Sequence, residues 1–274
     1  MNRAISNIAW SPNEALEAYR ILQRHGVKGL EFAPGLLFPD TDNPLRPTKT
    51  ALADARVTLS DFGLQPVSMQ SLHFATPGAA LFGDTREKTL FIDAIEQATD
   101  LAAALSVGNI VIGSPKNRVI PDALPLERAI ESAVTVFRSL GDKAAKVGVT
   151  LAIEANPTAY GTNFLTSSES VIDFCETCAH PAVRMNLDLG TVVMNDRSDA
   201  LNTLVQASAS IINHVHISAR QLGPITQNSP SVVALANAVK AIDFQGWTSV
   251  EMRRVGGAPL NAIETACRTL RAHY

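Results

Sequence analysis

Two hydrophobic periods alternate along this chain. Short β-rich runs with every second position apolar give way to longer segments with apolar residues three and four apart, the pattern of amphipathic helices. The runs RAISNIA (from Arg3), KGLEFA (Lys28), QPVSMQSLHF (Gln65) and NIVIG (Asn109) read as the first four strands. VTLAIEA (Val149), VRMNLDL (Val183), IINHVHIS (Ile211) and TSVEM (Thr248) read as the other four. Between them lie helical stretches such as PNEALEAYRILQRHG, REKTLFIDAIEQATDLAAAL and LERAIESAVTVFRSLGDKAAKVG, with Gly26, Gly63 and Gly148 as helix stops. No composition shift marks an internal boundary. The alternation therefore predicts one α/β domain over 1–274, a parallel (β/α)8 TIM barrel. An open doubly wound sheet is the rival. It expects a glycine-rich phosphate turn after its first strand, and SNIAWSP contains no glycine.

The strand pattern also assigns directions to side chains. In IINHVHIS, His214 and His216 share one face, and Val215 and Ile217 share the other. A parallel barrel turns its apolar outer face to the helices and lines a site with its inner face at the C-terminal rim. His216 is thus expected inward at the rim, with His214 one layer deeper. The same parse points Glu154 inward in LAIEA, Asp188 inward beside Asn186 in MNLDLG, and Ser249 and Glu251 inward in TSVEM. Each acid sits where the apolar alternation of its strand stops. From Glu154 to Asp188 to His216 to Glu251 the intervals are 34, 28 and 35 residues, each about one βα unit.

These four residues are expected to converge from strands five to eight. Three carboxylates gathered without a cation repel and are driven to protonate. Three carboxylate oxygens and one imidazole nitrogen form a shell suited to one divalent ion, with positions left for water or substrate. An ion-pair network is the plainer alternative.

Composition narrows the partners. The chain is 46% hydrophobic and 18% charged, enough apolar residues for a sizeable core. A net charge of -3, a pI of about 6.1 and the lack of a basic run predict neither nucleic acid nor an anionic membrane as partner. No apolar run approaches the roughly 18 residues of a membrane span. The opening MNRAISNIAWSPNEALEAYR turns amphipathic at once, so no signal peptide is expected. Cys175, Cys178 and Cys267 are an odd, sparse set, which suggests a cytoplasmic protein without disulfides. Cys175-x-x-Cys178 followed by His180 has the look of a metal clip. It lacks a second pair, and the pattern IDFCETCAH reads as a helix face bearing buried thiols.

The set IEAN, NLDLG, HVHIS and SVEMR resembles the xylose isomerase-like TIM-barrel superfamily, the sugar phosphate isomerase/epimerase and endonuclease IV-like group. The resemblance runs over most of the chain and is strongest from residue 109 to 254. It implies that Glu154, Asp188, His216 and Glu251 bind one divalent cation (Mn²⁺, Mg²⁺, Co²⁺ or Zn²⁺). It further implies that Glu154 and Glu251 are the acid/base pair of an isomerase or epimerase of carbohydrate metabolism. An α-hydroxy ketone chelated by such an ion would lose a carbon-bound proton to one glutamate and regain it from the other, through an enediolate stabilised by the metal. Return on the opposite face is epimerisation, and return to the neighbouring carbon is isomerisation.

Several further residues bear on the substrate. His73, at the end of the third strand candidate with Met69 and Ser71 on its face, is a candidate substrate contact. In Gly113-Ser-Pro-Lys-Asn-Arg118, a loop after strand four, Lys116 and Arg118 suit a phosphate or carboxylate. Arg253 alternates onto the inner side beyond Glu251, and Asn156 does so beyond Glu154. The expected substrate is therefore a small, carbohydrate-like molecule, with an anionic sugar phosphate or sugar acid well suited. The loop GLLFPDTDNPLRP after strand two offers Phe38 as a cover for the site. Ketose epimerases of the family carry a histidine three residues after the metal aspartate and a second glutamate six after the first. This chain has Thr191 and Tyr160 there, which argues against a free ketose. A lyase of the dehydroshikimate dehydratase-like type is the runner-up, and a non-catalytic ligand-binding barrel stands third. A nuclease needs a histidine-rich multi-zinc cluster, for which six histidines, several on helices, do not suffice. A homo-oligomer, dimer or tetramer, is left open.

Overall fold

Each of the eight runs forms a strand, and the three long helical stretches form helices at Ala15–Arg24, Thr85–Ala104 and Leu126–Lys146. The computed structural model describes residues Met1–Tyr274. The strands are β1 (Asn2–Ser6), β2 (Gly29–Phe32), β3 (Gln65–Met69), β4 (Asn109–Ile112), β5 (Thr150–Glu154), β6 (Val183–Asp188), β7 (Ile212–Ser218) and β8 (Trp247–Glu251). They pair in parallel in sequence order, and β8 pairs back to β1, closing a (β/α)8 TIM barrel. A barrel in this order has no free sheet edge, so every strand is covered on both sides.

The helices begin and end where local chemistry places them. Asp84 and Glu87 form a reciprocal cap at the start of Thr85–Ala104, and Thr48 caps Lys49–Asp61. Gly26, Gly63 and Gly148 all take positive φ as the chain leaves a helix. Leu151, Ile153, Leu187, Val215, Ile217 and Val250 are fully buried in the hydrophobic core and alternate with the inward polar residues. Cys175 and Cys178 are buried thiols on the helix Ser168–Cys178, as the apolar spacing requires. No helix is long and apolar enough to cross a membrane.

The rim departs from the sequence reading in three places. β3 stops at Met69, not at His73, because Ser71 takes a positive φ of 59° and turns the chain. The loop after β2 does not lay Phe38 over the barrel mouth. A short helix, Pro34–Leu37, turns Phe38 into a buried position among Tyr19, Ala55 and Leu59. The segment after β4 winds into a tight turn, Pro115–Arg118, that carries Arg118 inward and buries it completely.

Candidate metal centre

Glu154, Asp188, His216 and Glu251 meet at the C-terminal face of the barrel, all buried, with one ligand-type atom from each lying within 4.8 Å of the others. Register explains the meeting. Glu154 pairs across the sheet with Asn186, Asp188 with His216, and Ser218 with Glu251. Glu154, Asp188 and Glu251 end their strands and His216 stands two residues before the end of β7, so four successive strands deliver their polar side chains to the same end of the barrel.

His216 provides the sharpest test of whether an ion fits. Its Nε2 donates to Glu31 Oε2 at 3.0 Å. Its Nδ1 is fully buried and makes no hydrogen bond, although Glu154 Oε1 lies 2.8 Å away and Glu251 Oε2 lies 3.3 Å away. A buried ring nitrogen without a hydrogen-bond partner, facing three carboxylates, is what a cation ligand requires. The donor set of three carboxylates and one imidazole suits a divalent ion with open positions.

Electrostatics point the same way. Burial opposes a charged imidazole, but Glu31, Glu251 and Glu154 outweigh it and raise His216 well above the usual histidine range. Burial and the Glu154 charge raise Asp188. Burial pushes Glu251 up to about 7, against the pull of His216, with Glu154 and Asp188 adding to the rise. The site therefore holds more negative charge than one imidazolium neutralises, and a divalent ion in place of that proton would correct the balance.

The supporting residues hold the acids in place. Asn186 Nδ2 donates to Glu154 Oε1 at 2.6 Å, and Asn156 Nδ2 donates to Glu154 Oε2 at 3.1 Å. Asp188 caps the helix Leu189–Met194, its Oδ2 accepting from Thr191 N at 2.7 Å, and its Oδ1 accepts from Ser218 Oγ. Thr191 is thus buried against Asp188, where it braces the carboxylate instead of reaching a ligand. At Gly113 a Cβ would come within 2.7 Å of Glu154 Oε2, so a side chain there would displace that carboxylate.

Glu31 is the residue the sequence reading missed. It is fully buried on β2, at a register shift between Leu30 and Glu31 in the pairing with β3. Its Oε2 lies 2.9 Å from His214 Nε2 as well as 3.0 Å from His216 Nε2, and its Oε1 accepts from Gln70 Nε2 at 2.8 Å. Burial raises Glu31, but the charge of His216 and the close approach of both imidazoles outweigh this and hold it well below the carboxylate range. Holding the Nε2 proton fixes the tautomer that leaves His216 Nδ1 free. His214 accordingly sits in the layer below, as expected. The signal was present: Leu30 and Phe32 alternate around Glu31 as Leu187 and Leu189 do around Asp188.

Above the acids opens a cavity of about 730 Å³ whose walls include Glu154, Asp188 and Glu251. His73, Lys116, Asn156 and Arg253 also line it, as does Tyr160. Burial, followed by the charges of Asp188, Glu251 and Glu154, pushes the Tyr160 phenol up to about 12, so it remains a hydrogen-bond donor. Arg118 does not line the cavity. It donates through Nη2 to Glu154 O and to Asn156 Oδ1, both at 3.0 Å, and so acts behind the site rather than on a ligand. The tight turn explains the difference, since it folds the guanidinium beneath the loop.

The profile of the xylose isomerase-like TIM barrel family matches residues 19–273. Similar solved structures include a 3-keto-D-glucoside 4-epimerase from E. coli, with 17% identity, a TM-score of 0.79 and 99% of both chains covered. A D-allulose 3-epimerase from Methylomonas sp. has 18% identity and a TM-score of 0.77, covering 100% of this chain and 97% of that one. An AP endonuclease, family 2, from Brucella melitensis has 19% identity and a TM-score of 0.71, covering 94% and 96%. At such identities the likeness is one of fold. No curated protein matches the chain in sequence.

Proposed function

This chain belongs to the xylose isomerase-like TIM barrel family, and from that premise we propose that it is a divalent-metal-dependent sugar isomerase or epimerase. The observation that carries the reading is His216 Nδ1, buried without a hydrogen bond and facing Glu154, Asp188 and Glu251. Glu154, Asp188, His216 and Glu251 would hold one ion. When bound, that ion supplies Lewis-acid stabilisation of negative charge developing on a ligand's oxygens.

Proton transfer belongs to the glutamates. Glu154 rises from β5 and Glu251 from β8, three strands apart around the barrel, so their carboxylates approach a ligand between them from different sides. One removes a proton from the carbon beside a carbonyl, and the other delivers a proton to the opposite face or the neighbouring carbon. Asp188 and His216 act as ligands only. Tyr160 and Asn156 offer hydrogen bonds to hydroxyl groups, and Lys116 and Arg253 suit an anionic group of a sugar phosphate or sugar acid, whereas both ring nitrogens of His73 are already bonded, to Ser114 Oγ and Phe91 O. Sugar epimerases and an endonuclease both share this fold, and the lone histidine among the four candidate ligands favours the epimerases.

The test combines metal content with hydrogen exchange. After reloading with Mn²⁺, the parent is expected to hold about one equivalent per chain and Asp188→Asn to hold none. The loaded parent is expected to wash deuterium from D₂O into a member of a panel of keto sugars and their phosphates. A product that has lost water instead would identify the lyase chemistry. A parent that binds no metal would sink the reading and leave the four residues as an ion-pair network.

A further inference from the structure

Beside the carboxylate cavity lies a second, apolar cleft of about 220 Å³. It is walled by Ile8 after β1, by Pro34, Leu36 and Leu45 after β2, and by Leu72 after β3. The two spaces share Ser71 and Phe74, so the cleft opens along the wall of the candidate site, on the same face of the barrel.

Phe74 is the unusual member of this wall. It is 92% exposed, and none of the other nine phenylalanines is exposed. Exposing a phenyl ring leaves its burial energy unrealised, and such a ring beside an apolar cleft marks a place that expects a ligand. The turn that presents it is built, not frayed. Ser71 takes a positive φ, and its carbonyl accepts from Phe74 N at 3.2 Å. The neighbouring His73 is stacked on Phe91 with ring centroids 4.3 Å apart, and its Nε2 donates to Phe91 O at 3.2 Å. Phe74 is therefore held out at the boundary of the two cavities by its anchored neighbour.

Size adds a second argument. A cavity of about 730 Å³ falls in the range of roughly 300–1,000 Å³ that takes drug-sized ligands. One sugar ring against the carboxylates would leave much of that space and the whole apolar cleft to water.

We propose that the substrate is amphipathic. Its hydroxylated part meets Glu154, Asp188 and Glu251, and a flat apolar substituent, an aromatic ring, lies in the cleft against Phe74. This inference rests on the carbohydrate reading above and narrows the substrate to a sugar derivative bearing an aryl group.

The test uses the metal-loaded full chain with phenol, methyl β-D-glucopyranoside and phenyl β-D-glucopyranoside as probes, and with the corresponding pairs of galactosides and xylosides. Binding is read by calorimetry and by saturation-transfer NMR. Phenol is expected to show saturable contact with the protein. At least one phenyl glycoside is expected to bind tenfold or more tightly than its methyl counterpart. That ratio should fall to within twofold in Leu36→Asp and in Phe74→Ser, the second of which alters an exposed side chain and leaves the fold intact. Absence of a phenyl preference across the panel overturns the proposal. So does a preference that survives both substitutions. If Phe74 instead packs against a second copy of this chain, Phe74→Ser would shift sedimentation to a smaller species and keep the phenyl preference, which also overturns it. Phenol contact in Asp188→Asn separates the two readings. Its retention there, with metal lost, would leave the cleft standing whatever becomes of the metal chemistry.

Discussion

His73 and His216 are both buried at the C-terminal face of the barrel, yet the protein treats them oppositely. His216, in the half built by β5 to β8, stands among Glu31, Glu154 and Glu251 and is driven toward the charged form. His73, in the half built by β1 to β4, is lowered to about 4 by burial, with the Arg118 charge adding to the fall and the bond to Phe91 O opposing it. One half gathers three carboxylates around a buried imidazole. The other keeps its imidazole neutral, with Phe74 and the apolar cleft beside it. The same imidazole is thus a candidate ligand in one half and an anchor in the other, and the difference lies in which groups face it.

The largest effect should come from the acidic half. Glu251→Gln keeps shape and removes the proton acceptor, so turnover is expected to fall by about 10²–10⁴-fold, the usual worth of a positioned acid or base. Steady-state kinetics on whichever sugar shows deuterium uptake would check it. A loss under threefold would show that Glu251 is not the acid/base group.

The neutral half is tested through pH. A histidine near 4 in the folded chain and near 6.5 in the unfolded chain is neutral in both states above 6.5, where its contribution to stability is fully present. Between 6.5 and 4 the unfolded chain takes up the proton first, so stability is lost as pH falls through that window. Urea unfolding at pH 7.5 and 4.5 should show the parent losing roughly 2–3 kcal/mol more than His73→Gln does. Equal acid losses in the two proteins would mean that His73 is not held neutral.

These two halves were unequally legible in the sequence. The eight strands and their order followed from alternation alone, because a parallel barrel buries one face of every strand against helices. Glu154, Asp188, His216 and Glu251 were visible because each is an ionisable residue on the inward parity, at the end of its strand or, for His216, two residues before it. Glu31 obeys the same parity but lies inside a short apolar run, and its two histidine partners are more than 180 residues away, so nothing local announced them. Arg118, Phe38 and His73 were misplaced for another reason. Their directions are set by backbone turns, at Ser114 with φ 38°, over Pro34–Leu37 and at Ser71, which hydrophobic periodicity does not encode.

Glu31 also links the halves, since it reaches from β2 to both histidines of β7. Glu31→Gln retains an acceptor for the His216 Nε2 proton but drops the charge that orients the ring. Replacing an outer partner of a metal-binding histidine weakens metal affinity by about 10–100-fold. Mn²⁺ titration should show this loss with the stoichiometry still near one equivalent. Unchanged affinity would mean that the bond to Glu31 does not tune His216.

The smallest effect tests whether the neutral half reaches the acidic one through Arg118. Its Nη2 serves Glu154 O and Asn156 Oδ1, and Asn156 in turn holds Glu154 Oε2, so the guanidinium positions that carboxylate at one remove. Its Nε and Nη1 are buried with no partner, and burial lowers the group to about 10. Arg118→Met fills a similar volume, gives up the Nη2 bonds and also relieves two orphaned donors, so its stability terms oppose each other. The melting temperature is expected to move by no more than a few degrees, about 1 kcal/mol for a chain of this size. Turnover should fall about fivefold, the worth of one hydrogen bond, with KM unchanged because Arg118 does not line the cavity. A fall of ten degrees or more with normal turnover would show that Arg118 holds the loop together and does nothing for Glu154.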